Sequence, residues 1–143
     1  GIVKSIPAEK IKFNYRSTEL PKDHIFLSAT LKGKEKNSVE IKKIINDLIL
    51  RKELAQPTKI KTSGSTFKNP IKQTDKKVWE LIKACVPDQI SFGDASISDK
   101  HANFFVNKKN AKSADMKSLI NFVTKQVKDK TGVKLELEIV LVE

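Results

Sequence analysis

A single cysteine, five glycines, two arginines and 6% aromatics among 143 residues remove several kinds of protein at once. One thiol, Cys85, allows no intrachain disulfide, so a reducing compartment is the simplest expectation, and the cytoplasm its default. The glycines stand at positions 1, 33, 64, 93 and 132, never nearer than 29 residues. A dinucleotide fingerprint or a P-loop needs glycines within about six residues of each other, so the chain carries neither phosphate cradle. The longest apolar run, Ile139 to Val142, is four residues, far below the roughly 18 of a membrane span. Gly1, Ile2, Val3 and Lys4 open the sequence without an initiator Met or a signal-peptide core. It is therefore expected to be part of something longer.

What is abundant is lysine. The formal net charge is +11, yet lysines never run longer than two and only Arg16 and Arg51 carry guanidinium groups. Base-reading proteins favour arginine forks and aromatic platforms. Dispersed lysine with few aromatics reads as a solvated face, so nucleic acid is disfavoured as a partner. A basic module for nucleic acid or another polyanion is the non-enzymatic alternative, and an anionic small molecule fits the same charge.

Hydrophobic periodicity outlines the elements. Strands are expected at Ile2–Ile6, around Ile11, Phe13 and Tyr15, and through Ile25, Leu27, Ala29 and Leu31. A helix should start at Asn37 or Ser38, with Glu40 completing a capping box, and bury Ile41, Ile44, Ile45, Leu48 and Ile49. A second, from about Asp75 and capped by Thr74, carries Val78, Leu81, Ile82 and Cys85 at i, i+3, i+4, i+7 and stops before Pro87, with Trp79 in or near the core. A third, from Ser113, places Met116, Leu119, Ile120, Val123 and Val127 on one stripe and ends at Gly132. Gln89–Ser96 and Asn103–Val106 read as short strands, and Val133–Val142 alternates strictly. The expected architecture is α+β, a single mixed β-sheet with about three helices packed mainly on one face.

Two places invite chemistry. In the last strand Glu138 faces the same way as Val140 and Val142, where an apolar setting would suit a carboxyl acting as acid or electrostatic partner; an ordinary solvent-facing glutamate fits equally. The stretch Thr62–Pro70 sets small hydroxyls around Gly64 and could present Ser65, Lys68 and Asn69 to a ligand, or be a plain Ser/Gly turn. His24 and His101 stand 77 positions apart with no ligand partners at metal spacing, so no metal site is expected. Hydrolysis through Ser65, His101 and Glu138 lacks a nucleophile elbow.

The segment Ser63–Pro70, SGSTFKNP, resembles the GSxFKNP signature of the UDP-N-acetylenolpyruvoylglucosamine reductase (UDP-N-acetylmuramate dehydrogenase) family. FNYRST at Phe13–Thr18, KHANFFVN at Lys100–Asn107 and TGVKLELEIVLV at Thr131–Val142 are similar to further family motifs in the same order. RKELAQP at Arg51–Pro57 resembles the shorter branch. The likeness covers only the family's C-terminal part. It implies a connecting segment at 1–18 from a missing N-terminal flavin-binding domain, then a C-terminal substrate-binding domain at 19–143. The implied activity is reduction of the enolpyruvyl group of UDP-N-acetylglucosamine enolpyruvate, with FAD bound mainly by the missing domain and NADPH as reductant, in peptidoglycan synthesis. The implied proton donor is Ser65, with Arg16 and Glu138 polarising the enolpyruvyl carboxylate; Asn69, Lys68 and Tyr15 are implied substrate contacts. Thr66 departs from the resemblance, standing where an apolar residue is more usual. The fragment alone is expected to be inactive.

Overall fold

The structure, a computed structural model, describes residues 1–142. They fall into two compact units, residues 1–37 and the remainder from Ser38.

The first unit is built on a hairpin. β1 (Phe13–Asn14) and β2 (Ser17–Thr18) pair antiparallel, leaving Tyr15 and Arg16 as a two-residue turn. The Lys12 ammonium lies 2.7 Å from the Glu19 carboxylate, to which the Asn14 side-chain amide also donates. Lys12 first, then Asn14, holds the Glu19 carboxyl below its ordinary range. The alternation at Ile11, Phe13 and Tyr15 thus belongs to a strand of two residues and a turn. The strands expected at Ile2–Ile6 and Ile25–Leu31 do not form, and Ile2, Ile25, Leu27 and Leu31 are exposed. A strand needs a partner for its backbone and a surface for its apolar face, and this unit offers these segments neither.

The second unit opens with α1 (Ser38–Ala55), which starts where its capping residues indicate but buries nothing. Ile41, Ile44, Ile45, Leu48 and Ile49 are all exposed, correcting the expectation that they pack. The last turn is held where the Lys100 ammonium donates to the Glu53 carbonyl at 2.7 Å. Then come β3 (Lys61–Ser65), α2 (Val78–Cys85), β4 (Ser91–Phe92), β5 (Ala95–Ile97), β6 (Phe104–Asn107) and α3 (Ser113–Thr131). The sheet order is β3-β6-β5-β4 and every pairing is antiparallel. So the α+β class holds, but there are two antiparallel sheets instead of one mixed one. Alternating helices and strands ordinarily signal parallel crossovers. Here β4 and β5 are joined by a two-residue turn and β5 and β6 by the loop 98–103, and β6 then accepts β3 along its open edge.

The expected strand Gln89–Ser96 is in fact a hairpin split by Gly93 and Asp94. Gly93 takes φ 54°, and a Cβ there would meet the Asp115 carboxylate oxygen at 2.7 Å. Glycine at the first turn position of a two-residue hairpin is the signal that this segment carries.

α3 packs on α2 and across β4 and β5. The core joins Leu81, Ile82 and Cys85 to Leu119, Val123 and Val127, with Phe67 and Phe105 in edge-to-face contact at 5.7 Å. Both helical stripes are those the spacing indicates, and Gly132, at φ 74°, ends α3 with its N–H on the Lys128 carbonyl. Trp79 is not core: it is 40% exposed, one position off the buried stripe of α2. Of the final run, Leu135, Leu137 and Ile139 lean on the core, while its ladder is one bridge, Phe67 to Leu137. No helix among the described residues is long and apolar enough to cross a membrane.

The contrast between α3 and α1 is measurable. Leu119→Ala, at a site with no exposure, should cost about 2–5 kcal/mol of unfolding free energy through the cavity it leaves. Leu48→Ala, at a site 57% exposed, should stay within about 0.5 kcal/mol. Urea unfolding of the 143-residue chain checks both; equal losses would mean that the apolar face of α1 is covered.

Candidate functional site

The stretch Thr62–Asn69 is held by contacts from three directions. Within β3 the ladder to β6 slips between Thr62 and Ser65, so that Ser65 pairs with Phe104. The Thr62 hydroxyl fills the slip: it donates to the Phe105 carbonyl at 2.8 Å and accepts the Gly64 N–H at 3.2 Å. A bulge of this kind re-aims the residue that follows, here Ser65, which is half-buried.

Past β3, one amide side chain takes over. Asn103, 4% exposed, accepts the Phe67 N–H on Oδ1 at 3.0 Å and donates from Nδ2 to the Phe67 carbonyl at 2.8 Å. Its own carbonyl accepts the Thr66 N–H at 2.8 Å. On the other edge the Lys68 N–H donates to the Glu136 carbonyl and the Glu138 N–H to the Thr66 carbonyl, both at 2.9 Å. With Phe67 opposite Leu137, Glu138 stands directly across the ladder from Thr66, one residue from Ser65. Val140 and Val142 are exposed, so they do not supply the apolar surroundings expected for Glu138.

Four of the six sequence candidates are thus in or beside this paired segment: Lys68 and Glu138 on its ladder, Ser65 just before it and Asn69 just after it. The Lys68 ammonium is 3.9 Å from the Glu136 carboxylate. Asn69 Oδ1 accepts the Val78 N–H at 3.0 Å, tying the loop to the start of α2. Tyr15 and Arg16 lie together in the other unit, at the tip of the β1–β2 hairpin. The Arg16 guanidinium sits 5.6 Å from the centre of the Tyr15 ring, and Arg16 takes the left-handed φ of 59°.

A separate cleft of about 860 Å³ is lined by Trp79, Lys83, Ser96, Lys100 and His101 among others. Burial lowers the His101 pKa from its ordinary value. In keeping with a neutral ring, Nδ1 accepts the Asn103 N–H at 3.2 Å. Its ring meets Phe104 edge-on at 4.9 Å. Neither the cleft nor the Asn103 clamp is readable in the sequence: Trp79 reads as core by its neighbours, and nothing local shows that an amide at 103 serves the backbone at 67.

The architecture defines a small α+β domain that presents a serine-bearing segment, laddered on both edges, over a core closed by two helices. Residues 56–142 match the family model described as UDP-N-acetylenolpyruvoylglucosamine reductase, C-terminal domain, and the chain belongs to that family. It is 61% identical over 139 residues to UDP-N-acetylenolpyruvoylglucosamine reductase of Pelagibacter ubique, covering 97% of this chain and 46% of that protein. The Rickettsia bellii enzyme of that name is 39% identical over 139 residues, with 97% and 45% covered. A crystal structure of UDP-N-acetylenolpyruvylglucosamine reductase from Thermus caldophilus superposes with TM-score 0.69 at 30% identity, over 93% of this chain and 47% of that one. The chain spans about half the length of the curated relatives it matches.

Two outcomes follow from the geometry. Asn103→Leu leaves the buried Phe67 N–H and carbonyl unpaired, at about 1–3 kcal/mol for each group, and should lower the unfolding midpoint sharply. The folded His101 pKa lies below that of the unfolded chain, so acidification lets the unfolded state bind the proton first. The stability this residue contributes is complete above about pH 6.5 and is lost as pH falls towards the folded value. Unfolding free energies at pH 7.5 and 5.5 should differ less in His101→Gln than in the unsubstituted chain; an unchanged difference would exclude this origin.

Proposed function

We propose that the chain is the substrate-binding portion of a cytoplasmic flavoenzyme that converts UDP-N-acetylglucosamine enolpyruvate to UDP-N-acetylmuramate for peptidoglycan, with NADPH as reductant. The observation that carries this reading is the ladder joining the Ser65 segment to Glu138, in a chain of this reductase family. With its widely spaced glycines the chain carries neither a dinucleotide fingerprint nor a P-loop. FAD is placed mainly in the N-terminal part of the parent protein, which is also this chain's proposed partner. When bound there, it supplies the hydride added to the enolpyruvyl double bond.

The remaining half of the reduction falls to side chains of this chain. Ser65 donates a proton to the neighbouring carbon. A serine hydroxyl is a very weak acid, so the carbon it protonates must be strongly basic and the charge on the adjoining carboxylate must be stabilised. Arg16, as a cation, and Glu138, as a neighbouring acid, are the residues proposed for that stabilisation. Asn69, Lys68 and Tyr15 are proposed substrate contacts, with Lys68 suited to an anionic diphosphate. The alternative of a polyanion-binding module rests on net charge alone.

The test separates the half-reactions in the full-length protein. Ser65→Ala should lower enolpyruvyl turnover by about a hundredfold or more, the range of a lost general acid, and leave flavin reduction by NADPH nearly intact. Equal loss in both would remove the proton-donor role, and absence of any enolpyruvyl reduction by the unsubstituted protein would remove the reading itself.

A further inference from the structure

The residue between Ser65 and Phe67 is a threonine whose hydroxyl has no use in the fold. Thr66 is 1% exposed. Its Oγ1 is sealed from solvent and has no hydrogen-bond partner among the described residues. Its backbone is fully engaged, the N–H with Asn103 and the carbonyl with Glu138. A buried hydroxyl left unpaired destabilises the folded state, whereas valine would fill the same volume without that penalty. Nothing in the packing calls for the oxygen.

The ladder says what lies opposite the residue. Around the Phe67–Leu137 bridge, residues directly opposite share a face of the ladder, with Cβ atoms about 4.5–5.5 Å apart. The residue opposite Thr66 is Glu138. A carboxyl group keeps acceptor capacity in either protonation state, and a threonine hydroxyl has one proton to give. That leaves room for this bond whatever else the group holds. Rotation about the Thr66 Cα–Cβ bond between staggered positions is all that is needed to swing Oγ1 along the ladder.

We propose that Thr66 is a positioning residue for Glu138: in the working enzyme its buried hydroxyl donates a hydrogen bond to one oxygen of the Glu138 carboxyl group and fixes that group beside Ser65. This rests on the function proposed above and adds to Ser65, Arg16 and Glu138 a fourth side chain, one that touches neither flavin nor the reacting carbons. The bond acts only through Glu138, so its loss should appear in the enolpyruvyl reaction and not in the reduction of flavin.

Thr66→Val and Thr66→Ser in the full-length protein decide the matter. Thr66→Val should keep or raise the thermal midpoint while lowering kcat for enolpyruvyl reduction by about tenfold, the scale of one hydrogen bond. KM and flavin reduction by NADPH should change little. Thr66→Ser should restore the rate. Unchanged kcat in Thr66→Val would overturn the proposal, and a lowered midpoint beside it would make the hydroxyl structural. Should the unsubstituted protein reduce no enolpyruvyl substrate, the functional reading fails instead, and the Thr66 variants are not what shows it.

Discussion

The rest of the second unit depends on how one buried peptide, that of Phe67, satisfies its hydrogen-bonding groups. Phe67 must be inside because its ring meets Phe105 at the centre of the core. Once inside, its N–H and carbonyl are beyond the reach of water and need protein partners. β6 begins only at Phe104, so its backbone ladder does not extend to them. The Asn103 side chain supplies both a donor and an acceptor, and so carries the pairing one residue further than the strand does. The 136–138 segment then closes the other edge. Three stretches far apart in sequence, at 63–70, 100–107 and 131–142, are in this way three walls of one ladder. That is a physical reason for three of the family's motifs falling on these stretches.

What was legible in the sequence is what depends on neighbours within a helix. The stripes of α2 and α3 have the right period, and their core partners are each other, so the reading from Val78 to Cys85 and from Met116 to Val127 needed no outside knowledge. The same reasoning applied to Ile41, Ile44, Ile45, Leu48 and Ile49 gave a helix but the wrong burial. Periodicity reports which face is apolar; it does not report what covers that face. The segment Ile25–Leu31 shows the same limit for strands, since alternation is necessary for a half-buried strand and a hydrogen-bonded neighbour is also required. The mixed sheet was misread through one overlooked turn. With Gly93 and Asp94 taken as a hairpin, β4, β5 and β6 become a meander, and no parallel crossover is called for.

The candidate site was legible only in part, and through resemblance more than chemistry. Composition made Thr62–Pro70 loop-like, but its first half is a bulged strand whose Thr62 hydroxyl serves two backbone groups. Glu138 drew attention for a setting of valines that the fold leaves exposed. Its actual place, opposite Thr66, follows from a ladder across some seventy residues of sequence, and no local pattern encodes such a pairing. Arg16 had no local signal at all, being a turn residue next to the only tyrosine.

At two of these places, Arg16 and the segment at Ser65 and Thr66, the fold accepts a local cost. A left-handed backbone at a non-glycine residue costs on the order of 1 kcal/mol and persists where its surroundings over-determine it. Arg16 is such a residue, held by β1–β2 pairing, by the Lys12–Glu19 ion pair at the hairpin's base and by the Tyr15 ring beside its guanidinium. The register slip before Ser65 gives up regular ladder bonds, and Thr66 beside it leaves a sealed hydroxyl unmatched. A chain tuned for stability alone would lose little by giving up all three. Local departures of this sort cluster at working sites because the geometry that chemistry needs is seldom the one that packing prefers. Such departures are not confined to the residues named by resemblance: Gln89 is also left-handed, at φ 62°, and the Ser96 hydroxyl is likewise sealed and unmatched among the described residues.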